Sequence, residues 1–345
     1  MNIKRPSIQD VARIAGVSTA TVSRTLSNPK AVVEAKRAAV LQAIRSTGYR
    51  MNVAAQNLRR RRTNSVLALV PNLANPFFSK ILSGVSNVLA PAGYNLIISD
   101  SHANGNLVVK EQLMSYLDRG GADGLILFDG AISLEYLDNE KRDHPLPPTV
   151  LACEWIEGSQ LPRVRIDNEN GAIIAIEHLY GLGHRKIGFI KGPAGNVLSI
   201  SREIGMRRAL AQHDLKIQPD WMFCGDFSFE SGVSAAKRWL GLNNKPTAVF
   251  CVSDEMAIGF IGALQRAGKN VPKDVSVMGF DQIELAGYSN PSLTTISQPR
   301  TEIGSVAAQT LLALINNETI ENTDRLLPVE LIKGASTDIP VVTFY

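Results

Sequence analysis

Residues 8–28 of the chain read IQDVARIAGVSTATVSRTLSN, and this stretch decides the fold of the amino-terminal part. Ser7 is expected to cap a first helix, because a serine oxygen can accept hydrogen bonds from the free amides of a helix start. Apolar side chains recur at helical spacing at Ile8, Val11, Ala12 and Ala15. Gly16 is expected to end this helix in a tight turn, and Ser18 to cap a second helix. Two short helices joined in this way predict a helix-turn-helix motif, whose second helix enters the DNA major groove.

The second helix is expected to turn Val22 and Leu26 inward and its polar side chains outward. The predicted DNA-contacting residues of this helix and its cap are Ser18, Thr19, Ala20, Ser23 and Arg24. Arg24 could donate two hydrogen bonds to the edge of a guanine. The sequence therefore predicts a surface that reads bases through the major groove.

A third helix is predicted over residues 34–47, with Gly48 as its stop. Its inward residues are predicted to be Val40, Leu41 and Ile44. A small three-helix core would explain the apolar positions equally well without any DNA contact. It would not explain the outward Arg24 within a strongly basic segment.

The charge of the chain is divided unevenly. The first 62 residues hold thirteen lysines and arginines against two acidic residues, a net charge of +11, and the remaining 283 residues carry −7. A basic module on a mildly acidic body is typical of a protein that binds a polyanion through one part only. A solvated basic tail is the alternative, which the helix-turn-helix pattern disfavours.

Composition excludes several classes of protein. The chain has 345 residues, of which 45% are hydrophobic and 20% are charged, so disorder and fibrous repeats are excluded. Its three cysteines, Cys153, Cys224 and Cys251, form no paired motif, which argues against a disulfide framework or a zinc site. We also expect no export signal and no membrane span, and we expect a cytoplasmic location.

The remainder of the sequence alternates between strand and helix patterns. The predicted strands are 66–70, 94–99, 124–128, 149–153, 186–190, 221–224, 248–252 and 275–280. The predicted helices are 77–89, 107–117, 202–212, 230–240 and 255–267. This alternation predicts an α/β body of two lobes, each with a doubly wound parallel sheet covered on both faces.

Polar and aromatic side chains follow the predicted strands, where ligands of such sheets bind. Acids and amides there accept or donate hydrogen bonds to hydroxyl groups, while aromatic rings cover the apolar faces of a sugar. A sugar or sugar derivative is therefore the predicted ligand.

The stretch from Ile8 to Asn28 resembles the amino-terminal signature of the LacI/GalR family of bacterial transcriptional regulators. The similarity continues through Gly48-Tyr49 and phrases of the body to near Thr310. The family commonly carries a Thr-Arg pair at the start of the third helix, where this chain has Lys36-Arg37. The resemblance implies a homodimer on a pseudo-palindromic double-stranded operator, acting as a repressor under the control of a small-molecule effector.

The resemblance also implies a domain order. It places a helix-turn-helix domain at 1–50, a hinge at 51–62, a first lobe at 63–163 with 293–324, and a second at 164–292 with 325–345. The hinge, barely two helical turns long, would be unstable by itself. In the family it enters the minor groove and inserts a leucine between base steps, which here is Leu58, with Asn52 and Ala55 as further DNA contacts.

Effector-binding residues are carried over by matching motifs. The segment Asn75-Pro76-Phe77-Phe78 matches the family's first-lobe cleft loop, Arg202 its effector-gripping arginine and Asp281 its diol-binding aspartate. The predicted effector-binding set is Asn75, Phe77, Phe78, Asp129, Trp155, Arg202, Phe227, Ser253, Asp254 and Asp281. A helix-capping role for Asp254 is equally open, as are surface positions for Trp155 and its neighbour Glu154. The segment Gly225-Asp226-Phe227 also resembles the purine-repressor branch of the family, which leaves open a planar ligand stacked on Phe227.

Two other functions compete with a ligand-controlled regulator. An enzyme acting on a sugar or nucleotide would need a catalytic constellation, and the sequence has no HExxH, GxSxG or GxxxxGK[ST] motif. A transport-type binding protein would leave the +11 segment unexplained. We therefore expect no catalytic residues, no metal and no cofactor.

Overall fold

A computed structural model describes residues 6–49, 62–101, 115–137 and 145–341. By its contacts the chain divides into two units, residues 1–63 and 64–345. We call them the head and the body, and each is described by itself.

The head contains the three predicted helices. They are α1 Ile8–Ala15, α2 Thr19–Ser27 and α3 Glu34–Thr47, with a single 3-10 turn at Pro29–Ala31. Ser7 and Asp10 form a reciprocal capping box, and the hydrogen bond from the Ser7 amide lowers the pKa of Asp10 to about 2. Gly16 ends α1 in the left-handed conformation, as expected of a glycine in that place. Val33 precedes α3 without a side-chain cap.

The head is held together by a small apolar core. Its fully buried members are Val11, Ala12, Val22, Val40 and Ala43. The prediction that Leu41 points inward is wrong, since 42% of Leu41 is exposed. Residues 40, 43 and 44 share one face of a helix with 3.6 residues per turn, and position 41 lies to the side of it.

The body contains two sheets of six strands each. The strands of the first sheet are β1 Ser65–Val70, β2 Asn95–Asp100, β3 Gly124–Leu127, β4 Thr149–Ala152, β5 Arg163–Ile166 and β11 Asp324–Leu327. The strands of the second sheet are β6 Ile187–Lys191, β7 Met222–Cys224, β8 Ala248–Cys251, β9 Ser276–Asp281, β10 Thr294–Ser297 and β12 Glu330–Ile332. All pairings are parallel except that of β10 with the edge strand β12.

The two sheets have the same strand order, 2-1-3-4-5 followed by a late edge strand. In this doubly wound order the connections on either side of the first strand leave on opposite faces, which opens a crevice at the carboxyl ends of the strands. The predicted lobes and their parallel sheets are confirmed.

Helices cover the sheets. Those of the body are α4 Phe77–Leu89, α5 Leu134–Leu137, α6 Asn168–Gly181, α7 Val197–Gln212, α8 Phe229–Leu240, α9 Asp254–Arg266, α10 Glu284–Tyr288 and α11 Arg300–Ile315. Helix α7 begins five residues before the predicted start because Asn196 caps it, accepting hydrogen bonds from the amides of Leu198 and Ser199. Of the predicted helix 107–117, only the last turn, from residue 115, lies in the described part.

Three pairs of helices cross in close contact: α4 with α11, α6 with α7, and α8 with α9. Glycines permit the closest approach. A methyl group added to Gly259 on α9 would lie 2.1 Å from the Phe229 carbonyl oxygen, and one added to Gly232 on α8 would lie 2.1 Å from that of Met256. The two helices approach so closely here that only glycine, which has no side chain, fits at these positions.

The chain passes between the lobes after β5, after β10 and after β11. These crossings lie a few residues later than the predicted boundaries at 163, 292 and 324. The predicted boundaries place β10 in the first lobe, but β10 pairs with β9 of the second lobe. They place most of β11 in the second lobe, but β11 pairs with β5 of the first lobe. The reason is that each strand completes the sheet of one lobe before the chain leaves it.

Candidate functional site: a helix surface and an interlobe cleft

Helix α2 presents a polar surface to solvent in the head. Ser18, Thr19, Ala20, Ser23 and Arg24 are all exposed, while Val22 is fully buried against α1 and α3. Ser18 also caps α2, since its hydroxyl accepts a hydrogen bond from the Thr21 amide. The predicted contact residues therefore share one face that a duplex could approach. The predicted hinge residues Asn52, Ala55 and Leu58 lie outside the described residues.

The body contains a cleft of 620 Å³ between the two lobes. Its walls come from the segments that follow β1, β3 and β4 in the first lobe and β6, β7, β8 and β9 in the second. Seven of the predicted effector residues line it: Asn75, Phe77, Phe78, Asp129, Arg202, Phe227 and Asp281. The carboxyl-end rule for parallel sheets thus brings together residues that lie up to two hundred positions apart.

Arg202 is a buried cation on the floor of the second lobe. It donates hydrogen bonds from Nε to the Asn168 side chain at 2.9 Å and from Nη1 to the Val252 carbonyl oxygen at 2.5 Å. Its guanidinium lies 3.8 Å from the centre of the Phe280 ring. These contacts fix the position and orientation of the planar guanidinium inside the lobe.

Asp281 is the charge partner of Arg202. Its Oδ1 lies 3.6 Å from Arg202 Nη1 and accepts a hydrogen bond from Gln298 at 2.6 Å. Burial raises the pKa of Asp281 to about 6, against the opposing effect of Arg202. Its φ of 115° lies in the left-handed region, which turns the carboxylate out of the strand.

A carboxylate of the first lobe reaches across the cleft. Glu154 accepts hydrogen bonds from the Gly130 amide at 2.7 Å and, across the cleft, from the Asn196 side-chain amide at 2.7 Å. Burial raises the pKa of Glu154, and these donors partly offset that effect. Asn196 therefore joins the lobes directly while its own oxygen caps α7.

Aromatic rings supply the apolar part of the cleft. The rings of Phe77 and Phe78 meet edge to face at 5.2 Å, and Phe78 contacts Phe128 in the same way at 5.8 Å. Phe227 faces them from the second lobe, held at a φ of 69°. Phenyl rings on both walls suit a ligand with apolar faces and polar edges.

Comparisons with known proteins agree with this arrangement. A family model of bacterial regulatory proteins, lacI family, matches residues 7–52, and one of a periplasmic binding protein-like domain matches residues 176–337. The HTH-type transcriptional repressor CytR of Escherichia coli (strain K12) is 38% identical over 338 residues, covering 96% of each chain. The chain belongs to the LacI family of bacterial regulatory proteins.

Other relatives extend the similarity over the whole length. Catabolite control protein A of Priestia megaterium is 34% identical over 93% of this chain and 96% of its own. A lac repressor dimer bound to operator and an anti-inducer matches 97% of this chain and 100% of its own, at a TM-score of 0.84 and 26% identity. A transcriptional regulator CelR in complex with cellobiose matches 96% and 100%, at a TM-score of 0.72 and 30% identity. These relatives are named as regulators.

Three predicted effector residues lie outside the cleft lining of this LacI-family chain. Ser253 caps α9, accepting from the Met256 amide. Asp254 is fully buried and accepts hydrogen bonds from the Ile283 amide at 2.8 Å and from Thr295 at 2.6 Å. The alternative of a capping role for Asp254 is therefore wrong as well, because Ser253 is the cap of α9 and the Asp254 carboxylate bonds to groups outside that helix.

Trp155 is the third of these residues. It packs on an apolar cluster of the first lobe, with its indole nitrogen donating to Glu157 and Arg165 lying 5.6 Å from the ring centre. Its neighbour Glu154, left open by the sequence, is the one that lines the cleft. The two neighbours therefore differ in their surroundings: Glu154 faces the cleft, and Trp155 packs on the apolar cluster.

Glu255 was missed by the sequence analysis. It lines the cleft from the first turn of α9, next to the predicted residues Ser253 and Asp254. Its position after β8 was the available signal, but Ser253 and Asp254 come first after that strand. Among the described residues, no cluster of histidine, cysteine and acidic side chains could hold a metal ion, and no described helix could span a membrane.

Glu255 gives a test of the cleft's electrostatics. Burial, then Asp281, Glu230 and Asp226, raise its pKa from 4.5 to about 7. The unfolded chain therefore loses this proton near pH 4.5 and the folded chain near pH 7, so the group lowers stability as pH rises through that window. We expect Glu255→Gln to stabilise the body by about 1–2 kcal/mol at pH 8 and to have little effect at pH 4.5.

The measurement is urea unfolding followed by tryptophan fluorescence at both pH values. All three tryptophans, Trp155, Trp221 and Trp239, lie in the body, so the signal reports on that unit. An equal shift at pH 4.5 and pH 8 would contradict the assigned pKa.

Proposed function

We propose that this chain is a transcriptional repressor that binds a pseudo-palindromic operator as a homodimer and responds to a sugar or sugar derivative in the interlobe cleft. It is proposed to act by binding alone, without catalysis. Its relatives support this proposal, since CytR is named as a repressor and the lac repressor structure contains a dimer on its operator. The cleft is the single observation that carries the effector part.

The cleft combines hydrogen-bonding groups with ring surfaces. Asp129 is held by hydrogen bonds from the Ser101 hydroxyl at 2.5 Å and the Ala131 amide at 2.8 Å, so its carboxylate is fixed in place. Fixed acceptors opposite phenyl rings suit a ring-shaped ligand that carries hydroxyl groups. The volume of 620 Å³ is sufficient for a mono- or disaccharide-sized ligand.

The charges of the lining disfavour an anionic effector. Among the described residues, six carboxylates line the cleft, from Asp100, Asp129, Glu154, Asp226, Glu255 and Asp281, and Arg202 is the one lysine or arginine that does so. Arg202 already bonds within its lobe. A phosphate or sugar acid would meet net repulsion there, whereas a neutral or cationic ligand would not.

A planar ligand is the second candidate. Phe227 is held in the left-handed region, a costly conformation for a bulky residue, with its ring on the cleft wall. Strain of this kind is retained where a side chain has a defined task. Stacking a heterocycle on this ring would be such a task.

Coupling between effector and operator follows from lobe rotation. An effector that binds one relative orientation of the lobes more tightly shifts the population toward it. We propose that this rotation moves the two hinge segments of a dimer and so alters the insertion of Leu58 into the minor groove. The hinge assignment rests on the family resemblance.

The test is titration of the full-length chain into labelled duplexes, with and without candidate ligands found by thermal shift. Neutral sugars, amino sugars, sugar phosphates and purines form the panel. We expect a compound without negative charge to raise the melting temperature and to change operator affinity, and we expect operator binding to have a steep salt dependence of about −0.9 log unit per phosphate contacted. Absence of duplex binding at low salt would refute the proposal that the chain is a DNA-binding regulator. An operator affinity that no ligand changes would refute the proposal that an effector controls it.

Arg24 allows a sharper test of the head. We expect Arg24→Ala to weaken operator binding by about 1–3 kcal/mol and to relax the preference at one base pair, because Arg24 is exposed on α2 and could bond a guanine edge. Arg45→Ala on α3 is the matched control, since it removes the same charge from an exposed position outside α2. If both variants lose the same binding affinity on every DNA sequence tested, Arg24 does not contact a base.

A further inference from the structure

Glu255 is a largely buried residue in the cleft wall whose carboxylate receives no hydrogen bond from the described residues. It is 8% exposed and lines the cavity at the second position of α9. Among the described residues, none forms a hydrogen bond or an ion pair with its carboxylate. A carboxylate in this condition can still accept hydrogen bonds from a ligand.

The other cleft carboxylates are all provided with donors. Asp100 accepts from the Leu73 amide, Asp226 from Ser228, and Asp281 from Gln298. Asp129 and Glu154 are bonded as described above. Glu255 thus differs from them, because it lines the cavity with acceptor capacity that the described residues do not use.

The surroundings of Glu255 are negative. Asp226 and Asp281 lie on the same wall of the cleft, and Glu230 on α8 adds a third carboxylate near it. Together with burial they raise the pKa of Glu255 to about 7. Arg202, the cation of the lining, is bonded to Asn168 and Val252 and paired with Asp281.

We propose that Glu255 binds a protonated amino group of the effector, which makes the effector an amino sugar. This inference rests on the proposed function and narrows its ligand class. An ammonium group carries three donors and no acceptor, so it can bond Glu255 and face Asp226 and Asp281 without placing lone pairs against them. A hydroxyl group has one donor and would turn its lone pairs toward carboxylates.

The choice of an amine also agrees with the charge of the cleft. The carboxylates that line the cleft outnumber the cations, and a ligand cation would reduce this excess of negative charge. Hydrogen bonds between an ammonium group and a carboxylate are strong in a partly enclosed site. The aromatic rings of Phe77, Phe78 and Phe227 would cover the sugar ring while the amine is bound at the α9 end.

The experiment is isothermal titration of the full-length chain at pH 7 with D-glucosamine, D-galactosamine and D-mannosamine. Each is compared with its parent hexose, which has a hydroxyl in place of the amine, and with its N-acetyl derivative, which has no charge. We expect at least one hexosamine to bind tenfold or more tightly than both of its comparison compounds, as for a hydrogen bond to a charged group.

Two isosteric variants assign the effect to its residue. We expect Glu255→Gln to lose the tenfold preference, while Glu230→Gln, which removes a nearby charge outside the cleft lining, retains it. Thermal unfolding without ligand verifies that both variants fold.

Each result supports or overturns the proposal. Equal binding of hexosamine and hexose, binding of no hexosamine, or an intact preference in Glu255→Gln overturns it. A neutral sugar that binds and alters operator affinity without an amine preference leaves the proposed function standing and refutes this inference alone. Operator affinity that no compound of either panel changes refutes the effector part of the proposed function.

Discussion

We expect Arg202→Met to lower the free energy of unfolding of the body by about 3–5 kcal/mol, the largest loss among the substitutions considered. Arg202 is 2% exposed and is the cation that compensates Asp281. Its removal would leave a buried carboxylate with Gln298 as its side-chain donor and would leave the oxygen of Val252 without its guanidinium donor. Urea unfolding monitored by tryptophan fluorescence measures the loss.

Two controls separate charge from packing. Arg238→Met removes an arginine that lies over the ring of Phe223 but is exposed, and we expect it to cost less than 1 kcal/mol. Adding Asp281→Asn to Arg202→Met is expected to recover part of the loss, because the uncompensated charge is then gone. A loss below 1 kcal/mol for Arg202→Met would show that the pair does not stabilise the fold.

Gly259→Ala is expected to destabilise the body by about 3 kcal/mol. Its new methyl group would lie 2.1 Å from the carbonyl oxygen of Phe229, a backbone atom that cannot rotate away. Helices α8 and α9 would have to separate along their whole crossing. Both helices frame the cleft, since Phe227 and Ser228 precede α8 and Glu255 lies on α9.

The same helix provides the matched control. Gly262 lies three residues further along α9, and the nearest atom to a methyl group there is the Arg266 Nη1, at 3.5 Å. We expect Gly262→Ala to be neutral or to stabilise by up to about 1 kcal/mol, because alanine favours a helix over glycine. If both variants behave alike, the close crossing of α8 and α9 is not as described.

Local patterns were sufficient to predict most elements. Ser7 and Ser18 cap the first two helices as expected, since a cap is fixed by a single side chain and its neighbouring amides. The cleft residues Asn75 and Asp281 were predicted because family motif and strand-end position agreed, whereas Arg202 was predicted from the family motif alone. These predictions depend on residues close in sequence or on one rule of parallel sheets.

Predictions that depend on tertiary packing were less successful. Ser253 and Asp254 follow strand β8 directly, yet Asp254 turns inward because Ile283 and Thr295 offer donors that no local pattern reveals. The sequence could not show whether Trp155 or Glu154 faces the cleft, because the two residues are neighbours on the segment after β4. The choice between them is made by the apolar cluster under Trp155 and by Asn196 in the other lobe.

The three passages of the chain between the lobes affect how the body is made. Strand β11, at the edge of the first sheet, is synthesised after all of the second lobe up to β10, so the ribosome must finish nearly the whole polypeptide before the first sheet has its last strand. Neither lobe can mature as an independent nascent domain in the usual amino-to-carboxyl order. A nick in any single passage would still leave the two halves covalently joined through the other two.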